Sequence, residues 1–176
     1  MIGAGTLGRR IALMLASRGG TVRIHARRAE QRAEATQYVT EALPKLLENR
    51  GFGELGVATA TDSLEEALDG AWLVIESAPE KLEIKIPLWG QIDQVAPSDT
   101  IFATNSSSYP SRLMAENVRD KTRLCNTHFY MPPEINALGD YGQRLPLDGS
   151  PDAIEYEAGA LPSRLEGVNA KLGQDG

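Results

Sequence analysis

Apolar positions along the first 130 residues switch between a helical and an extended period. From Leu7, the residues Leu7, Ile11, Met14 and Leu15 fall at i, i+4, i+7 and i+8, which predicts one buried helix face. Gly19-Gly20 ends that helix, because glycine adopts the left-handed conformation at little steric cost. Thr21 to Ala26 alternates as a short strand, and a polar helical stretch follows from about Arg28 to Arg50, with Pro44 expected to bend or split it. After Gly51-Phe-Gly53, Val57 to Thr61 reads as a strand, and Ser63-Leu-Glu-Glu66 as a capping box opening a short helix. Ala71-Trp-Leu-Val-Ile75 is a continuous apolar run of the kind buried on both faces of a sheet.

Pro79 fits the first turn of a helix over roughly 80–95, with Leu82, Ile86, Trp89, Ile92 and Val95 on one side and a kink expected at Pro87. Thr100 to Thr104 reads as a strand, Tyr109 to about Glu116 as a short helix, and Thr122 to Phe129 as a last strand. Strands alternating with helices at this spacing predict an α/β fold with a mainly parallel sheet. The pattern stops near Leu138. Residues 139–176 hold seven glycines and three prolines and are expected to form an irregular or disordered tail, so the reading is one domain over 1–138 and no second helical domain.

Composition narrows the classes. The 176 residues are 41% apolar and 24% charged with a net charge of −6, enough for one core of ordinary size and unlike a disordered chain. No apolar run approaches the ~20 residues that span a bilayer, and no secretory signal pattern opens the chain, so the expected location is the cytoplasm by default, with no membrane partner. The lone Cys125 and the two histidines, His25 and His128, exclude a cysteine-only metal cage and make a structural zinc improbable, so no metal is expected.

Charge is unevenly spread. The first 32 residues carry seven arginines against Glu30, a local +6 that leaves −12 on the remainder. That excess suits a phosphate-bearing cofactor or solvated positions better than nucleic acid, because no aromatic interleaving accompanies it.

Gly3-Ala-Gly5-Thr-Leu-Gly8 is a G-x-G-x-x-G immediately before a helical pattern. The first glycine permits a tight turn, the second lets a pyrophosphate approach the backbone, and the third lets helix and strand pack closely. Glycines of this spacing also serve plain turns, but the helix and the following strand favour dinucleotide binding, in a Rossmann-type doubly wound fold. Only Met1-Ile2 precede Gly3, so the first strand is truncated, and its loss is expected to leave two neighbours unpaired.

The end of the second strand, where an acid ordinarily meets the ribose 2′-hydroxyl, holds Ala26 followed by Arg27-Arg28. An arginine there attracts a 2′-phosphate, which points to NADP; a surface arginine pair with relaxed NAD binding, or lost binding, are the alternatives. His128 ends the last strand, where open α/β sheets place their crevice, and could accept a hydroxyl proton; taken alone it reads equally as a structural histidine. Asn105-Ser106-Ser107-Ser108 could bind a substrate hydroxyl or simply cap a loop.

Taken together, the segments IGAGTLGRRIALMLASRG, TDSLEEALDGAWLVIESAPEKLEIK, ATNSSS and THFYMPP resemble the NAD-binding domain of the 3-hydroxyacyl-CoA dehydrogenase family, from Ile2 to about Leu138. The resemblance implies oxidation of the 3-hydroxyl of an acyl-CoA to a ketone, as in fatty acid metabolism, with hydride passing to NAD or NADP. His128 then falls on the catalytic histidine and Ser107 on the serine that contacts substrate and nicotinamide. Gly3, Gly5, Thr6, Leu7 and Gly8 fall on the phosphate loop, and Glu80 and Lys85 on cofactor-side positions of a stretch that begins at Glu76.

The departures from that pattern matter as much. Met131 replaces the family's asparagine three residues after the histidine. The acid that the family uses to orient the histidine falls on Asp140, which follows Leu138-Gly139 where an apolar strand would continue. The family's second domain, all-helical and usually dimerising, has no counterpart in 139–176, so oligomerisation is expected only where such a domain exists. A frameshift or misjoined reading after Leu138 would fit the abrupt change, and sequencing the transcript there tests it. The expected protein is an incomplete oxidoreductase of the 3-hydroxyacyl-CoA dehydrogenase type, with little turnover of its own. A non-catalytic nucleotide-binding module and a dehydrogenase of a small free 3-hydroxy acid are the alternatives.

Overall fold

A computed structural model describes residues 1–134 and the strand at 141–144. Its elements run α1 (Thr6–Ala16), β1 (Thr21–His25), α2 (Ala29–Arg50), β2 (Val57–Thr61), α3 (Leu64–Leu68), β3 (Leu73–Glu76), α4 (Leu82–Val95), β4 (Ile101–Thr104), β5 (Leu124–Thr127) and β6 (Tyr141–Arg144). Parallel pairing joins β1 to β2, and β3 to β4 to β5; β6 adds to β5 antiparallel.

The two residues before Gly3 close the sheet. Ile2 bridges His25 on one side and Glu76 on the other. The Met1 amino group donates to Arg23 O at 2.7 Å, and His25 N–H to Met1 O at 2.8 Å. On the other side, Ile2 N–H donates to Ile75 O and Ser77 N–H to Ile2 O, both at 2.8 Å. Two residues therefore pair with both neighbours at the ends that carry the crevice loops, where the sequence led us to expect neighbours left unpaired.

Alternation along the central strands sorts their side chains into two cores. Ile75 and Ala103 face one side, with Ile11, Leu13 and Met14 of α1 and Val39 and Leu43 of α2. Val74, Phe102 and Leu124 face the other, with Leu68 of α3, Trp89 and Ile92 of α4, and Met114. Apolar side chains on both faces of one sheet define the doubly wound arrangement, and each fully buried aliphatic contributes about 1.5–3 kcal/mol. The Trp89 ring lies against Phe102 with centroids 5.4 Å apart.

Several boundaries differ from the sequence expectations. The helix over 29–50 runs unbroken through Pro44 and stops at Gly51, whose positive φ of 71° lets its N–H reach Leu47 O at 2.9 Å. Pro79 lies outside α4: its carbonyl accepts from Lys81 N–H, and Lys81 is the residue that opens the helix. The helix then continues through Pro87. In place of a short helix from Tyr109 to Glu116 there are two 3-10 turns, Ser111–Leu113 and Ala115–Asn117. Ser111 N–H, at the start of the first of them, donates to Asn126 Oδ1 at 2.6 Å. Half of the anticipated capping box forms: Glu66 N–H donates to Ser63 Oγ at 3.1 Å, while the Glu66 carboxylate takes Thr61 Oγ1 instead. β6 lies in the stretch read as irregular; the rest of 145–176 and the positions 135–140 lie outside the described residues.

Candidate active site

All the candidate loops leave the carboxyl ends of parallel strands, the edge at which open α/β sheets bind ligands. The glycine loop opens α1. Gly3 has φ 99°, and a Cβ on it would meet Ser77 O at 2.6 Å; a Cβ on Gly8 would collide with Gly3 O. Those two glycines are needed for the fold itself. A Cβ on Gly5 would meet nothing within 4 Å, so that position opens onto free space at the helix N-terminus. No side chain caps α1, and its first N–H groups at Thr6, Leu7 and Gly8 belong to a positive helix end with no carboxylate in the first turn. These features fit the pyrophosphate of a dinucleotide.

The next loop, after β3, is braced from below. Glu76 and Lys85 are fully buried and paired at 2.6 Å. Glu76 also accepts from Thr104 Oγ1 at 2.6 Å and from Ala78 N–H at 2.5 Å, tying the ends of β3 and β4 together. Lys85 reaches a second carboxylate, Glu80, at 3.4 Å. Lys85 therefore underpins the crevice rather than facing it.

Glu80 in turn organises the serine loop. It accepts from Ser106 Oγ and from Ser108 N–H, the latter at 3.0 Å. Burial would raise the Glu80 carboxyl, but these hydrogen bonds and the Lys85 ammonium outweigh it and hold its pKa below the ordinary value. Ser106, which sequence reasoning did not single out, is the buried serine of the loop; Ser107 is exposed between two residues fixed by Glu80.

Asn105 joins that loop to His128. Its N–H donates to Glu76 O at 2.8 Å, its Oδ1 accepts from Phe129 N–H at 2.9 Å, and its backbone O lies 3.4 Å from His128 Nδ1. A carbonyl can only accept, so this contact favours the tautomer with the proton on Nδ1, which leaves Nε2 as the acceptor nitrogen. The His128 ring also meets Tyr130 edge-on at 5.1 Å. Asp140, the candidate partner of His128, lies outside the described residues.

At the far end of the crevice, Ala26 N–H donates to Thr61 O at 3.3 Å, joining the ends of β1 and β2. Arg32 donates to the carbonyls of Ala26 and Arg27 at 2.7 and 2.9 Å and pairs with Asp62 at 2.9 Å. Arg27 and Arg28 project into solvent beside it. Burial holds the neighbouring His25 below its usual pKa, which keeps it neutral at pH 7. The structure thus brings the glycine loop, Glu80, the serines and His128 along one edge, with Arg27 and Arg28 at its end. Among the described residues, no cluster of His, Cys, Asp or Glu is placed to hold a metal, and no helix is long and apolar enough to cross a membrane.

This arrangement defines a dinucleotide-binding α/β domain with a histidine at the carboxyl edge of its sheet. Residues 1–139 match the family described as 3-hydroxyacyl-CoA dehydrogenase, NAD binding domain, and the chain belongs to that family. It is 32% identical over 147 residues to the 3-hydroxyadipyl-CoA dehydrogenase of Escherichia coli (strain K12), covering 78% of this chain and 30% of that protein. It is 33% identical to the L-carnitine dehydrogenase of Streptomyces griseus, again over 78% of this chain and 42% of the relative. A solved 5-formyl-3-hydroxy-2-methylpyridine 4-carboxylic acid 5-dehydrogenase, described as NAD+ dependent, superposes with a TM-score of 0.69 at 30% identity, covering 76% of this chain and 44% of that one. The chain thus spans less than half the length of these relatives.

Proposed function

We propose that this chain is the cofactor-binding and proton-accepting part of a 3-hydroxyacyl-CoA dehydrogenase, with residues 1–138 as the working unit. The observation that carries the reading is the placement of His128: it follows β5 directly, with Nδ1 turned to Asn105 O and Nε2 left as the base. In that role, Nε2 takes the proton of the substrate 3-hydroxyl as the carbonyl forms. Ser107, presented at the exposed tip of a loop whose flanks are fixed by Glu80, holds the substrate oxygen. Bound NAD or NADP supplies the hydride acceptor. Gly3, Gly5, Thr6, Leu7 and Gly8 receive the pyrophosphate, Glu80 and Lys85 shape the floor beneath it, and Arg27 and Arg28 favour NADP. Asp140 is the acid that would orient His128 from outside the described residues. The cytoplasm is the proposed location.

Titration of the purified chain with NADH and NADPH by nicotinamide fluorescence tests the cofactor half of this reading; binding of neither overturns it. Assay with a 3-hydroxyacyl-CoA and with the matching free 3-hydroxy acid tests the substrate half, with the thioester expected to be preferred wherever turnover is seen. A second reading, a nucleotide-binding module without catalysis, draws on Met131, which is half exposed three residues after His128, where the family's pattern has an amide. Cofactor affinity without ketone formation in the presence of a complete second domain would select it.

A further inference from the structure

Glu134 lies six residues beyond His128 and is only 5% exposed, although nothing in its neighbourhood along the chain accounts for a buried acid. Its Oε1 accepts from Arg10 Nε at 3.1 Å and Nη2 at 2.8 Å. Its backbone O accepts from Arg50 Nη2, and Arg50 Nη1 also donates to Ser17 Oγ at 3.2 Å, at the end of α1. Arg10 stands on α1 one turn after the glycine loop, and Arg50 is the last residue of α2. The strap that carries His128 is therefore fastened twice. Near its start Asn105 holds the His128 ring and the Phe129 N–H, and at its end two arginines from the cofactor-side helices hold Glu134. Between them Tyr130 and Met131 are about half exposed, and Tyr130 lies edge-on to the His128 ring.

Both guanidinium nitrogens converge on Oε1, a charge-assisted contact that fixes how far Glu134 stands from α1, while Oε2 is buried with no hydrogen-bond partner among the described residues. A buried acid stripped of its cation is strongly unfavourable. We propose that Glu134 is a positioning residue that clamps the His128 strap to α1, the helix whose N-terminus forms the cofactor site, and so sets where His128 stands relative to bound nicotinamide. The proposal rests on the reading of His128 as the proton acceptor.

The test uses the full 176-residue chain and two readouts: amide exchange at Phe129, and the ring resonances of His128, simple to assign because the chain has two histidines. Glu134→Ala and Arg10→Gln are expected to speed Phe129 exchange at least tenfold and to shift or broaden the His128 signals, while core amides such as Phe102 and Val74 keep their order of protection. Glu134→Gln, which keeps an acceptor for Arg10, is expected to recover part of both effects. Arg119→Met, on the other side of the sheet, is the control: it lowers overall stability and leaves the His128 resonances in place. Arg10 is a quarter exposed, so Arg10→Gln tests the clamp even where Glu134→Ala does not fold. Phe129 exchange that stays as in the parent, or that rises only in step with every core amide, overturns the clamp. Failure of NADH to perturb His128 in the parent chain would instead sink the cofactor reading, with the exchange data still deciding the role of Glu134.

Discussion

Lys85 Nζ lies 2.6 Å from Glu76 Oε1, and neither side chain exposes more than 1% of its surface. The pair sits under the crevice and holds the ends of β3, β4 and α4 in register through Thr104, Ala78 and Glu80. Removing Lys85 leaves the Glu76 carboxylate buried without a cation, and removing Glu76 leaves Lys85 with Glu80 alone at 3.4 Å. Lys85→Met and Glu76→Leu are each expected to lower the unfolding free energy by about 3–5 kcal/mol, and the double replacement to recover much of that loss. Urea unfolding of the three variants checks this; single-variant losses below about 1 kcal/mol would mean that water reaches the pair.

The glycine loop separates fold from binding. Gly3→Ala and Gly8→Ala drive a methyl group into backbone carbonyl oxygens and are expected to unfold or severely destabilise the chain. Gly5→Ala meets open space, and its backbone angles of −69° and −176° suit any residue. Its stability cost is expected to stay near the roughly 1 kcal/mol of a weakened N-cap, while NADH affinity falls at least tenfold, about 1.4 kcal/mol. Thermal melts beside fluorescence titrations decide it. A Gly5→Ala variant that binds NADH as the parent does would show that the pyrophosphate does not lie over this loop.

The parts legible in the sequence are those whose cause is local. The spacing of Ile11 and Met14 marks the α1 face, and the runs through Val74-Ile75 and Phe102-Ala103 mark strands covered on both sides. The glycine loop was readable from its spacing before a helical pattern, although the demand on Gly3 comes from Ser77 O, far along the chain. What stayed hidden depends on partners far along the chain. Ser106 is the buried serine because Glu80 reaches across from the neighbouring loop, and the Ser111 N–H after Pro110 finds its acceptor in Asn126, 15 positions on. Glu134 looks like a surface acid after two prolines until Arg10, 124 positions earlier, is folded against it. β6 carries no apolar alternation in Tyr-Gly-Gln-Arg, and its strand is defined by pairing to β5 alone.

Acid stability should report Asp93. Its carboxylate is buried on α4 and accepts from Arg119 N–H at 3.0 Å and Arg119 Nε at 2.7 Å, with Arg123 at 3.3 Å. Burial would raise this group, but the Arg119 hydrogen bonds and the two arginine charges outweigh it and hold its pKa below the ordinary 3.8. A depressed folded-state pKa gives stability that is present above the unfolded value and lost as pH falls through the folded one. Between pH 7 and 5 the Asp93 contribution is constant; below about pH 4 it is expected to decline. Asp93→Asn should be less stable than the parent at pH 7 and should approach it below pH 3, which urea midpoints across that range would register. A constant gap between the two proteins from pH 7 to 3 would assign the loss to packing instead of charge.

Arg27 and Arg28 carry the last prediction. At the end of β1, Arg32 is already committed to Asp62 and to the carbonyls of Ala26 and Arg27, so its charge is largely spent. Arg27 and Arg28 stand exposed beside it, and Ala26 offers no carboxylate to repel a 2′-phosphate or to hold a ribose hydroxyl. NADPH is therefore expected to bind at least as tightly as NADH. Arg27→Ala and Arg28→Ala should each weaken NADPH about fivefold, roughly 1 kcal/mol for an exposed charged contact, and leave NADH within about twofold. The difference should shrink as salt rises, because exposed charges are screened over about 10 Å at 0.1 M. Fluorescence titrations of both nucleotides at low and high salt measure all of these. Tighter NADH binding in the parent, indifferent to either substitution, would leave the arginines as solvated surface and the loop at Gly3–Gly8 as the main source of affinity.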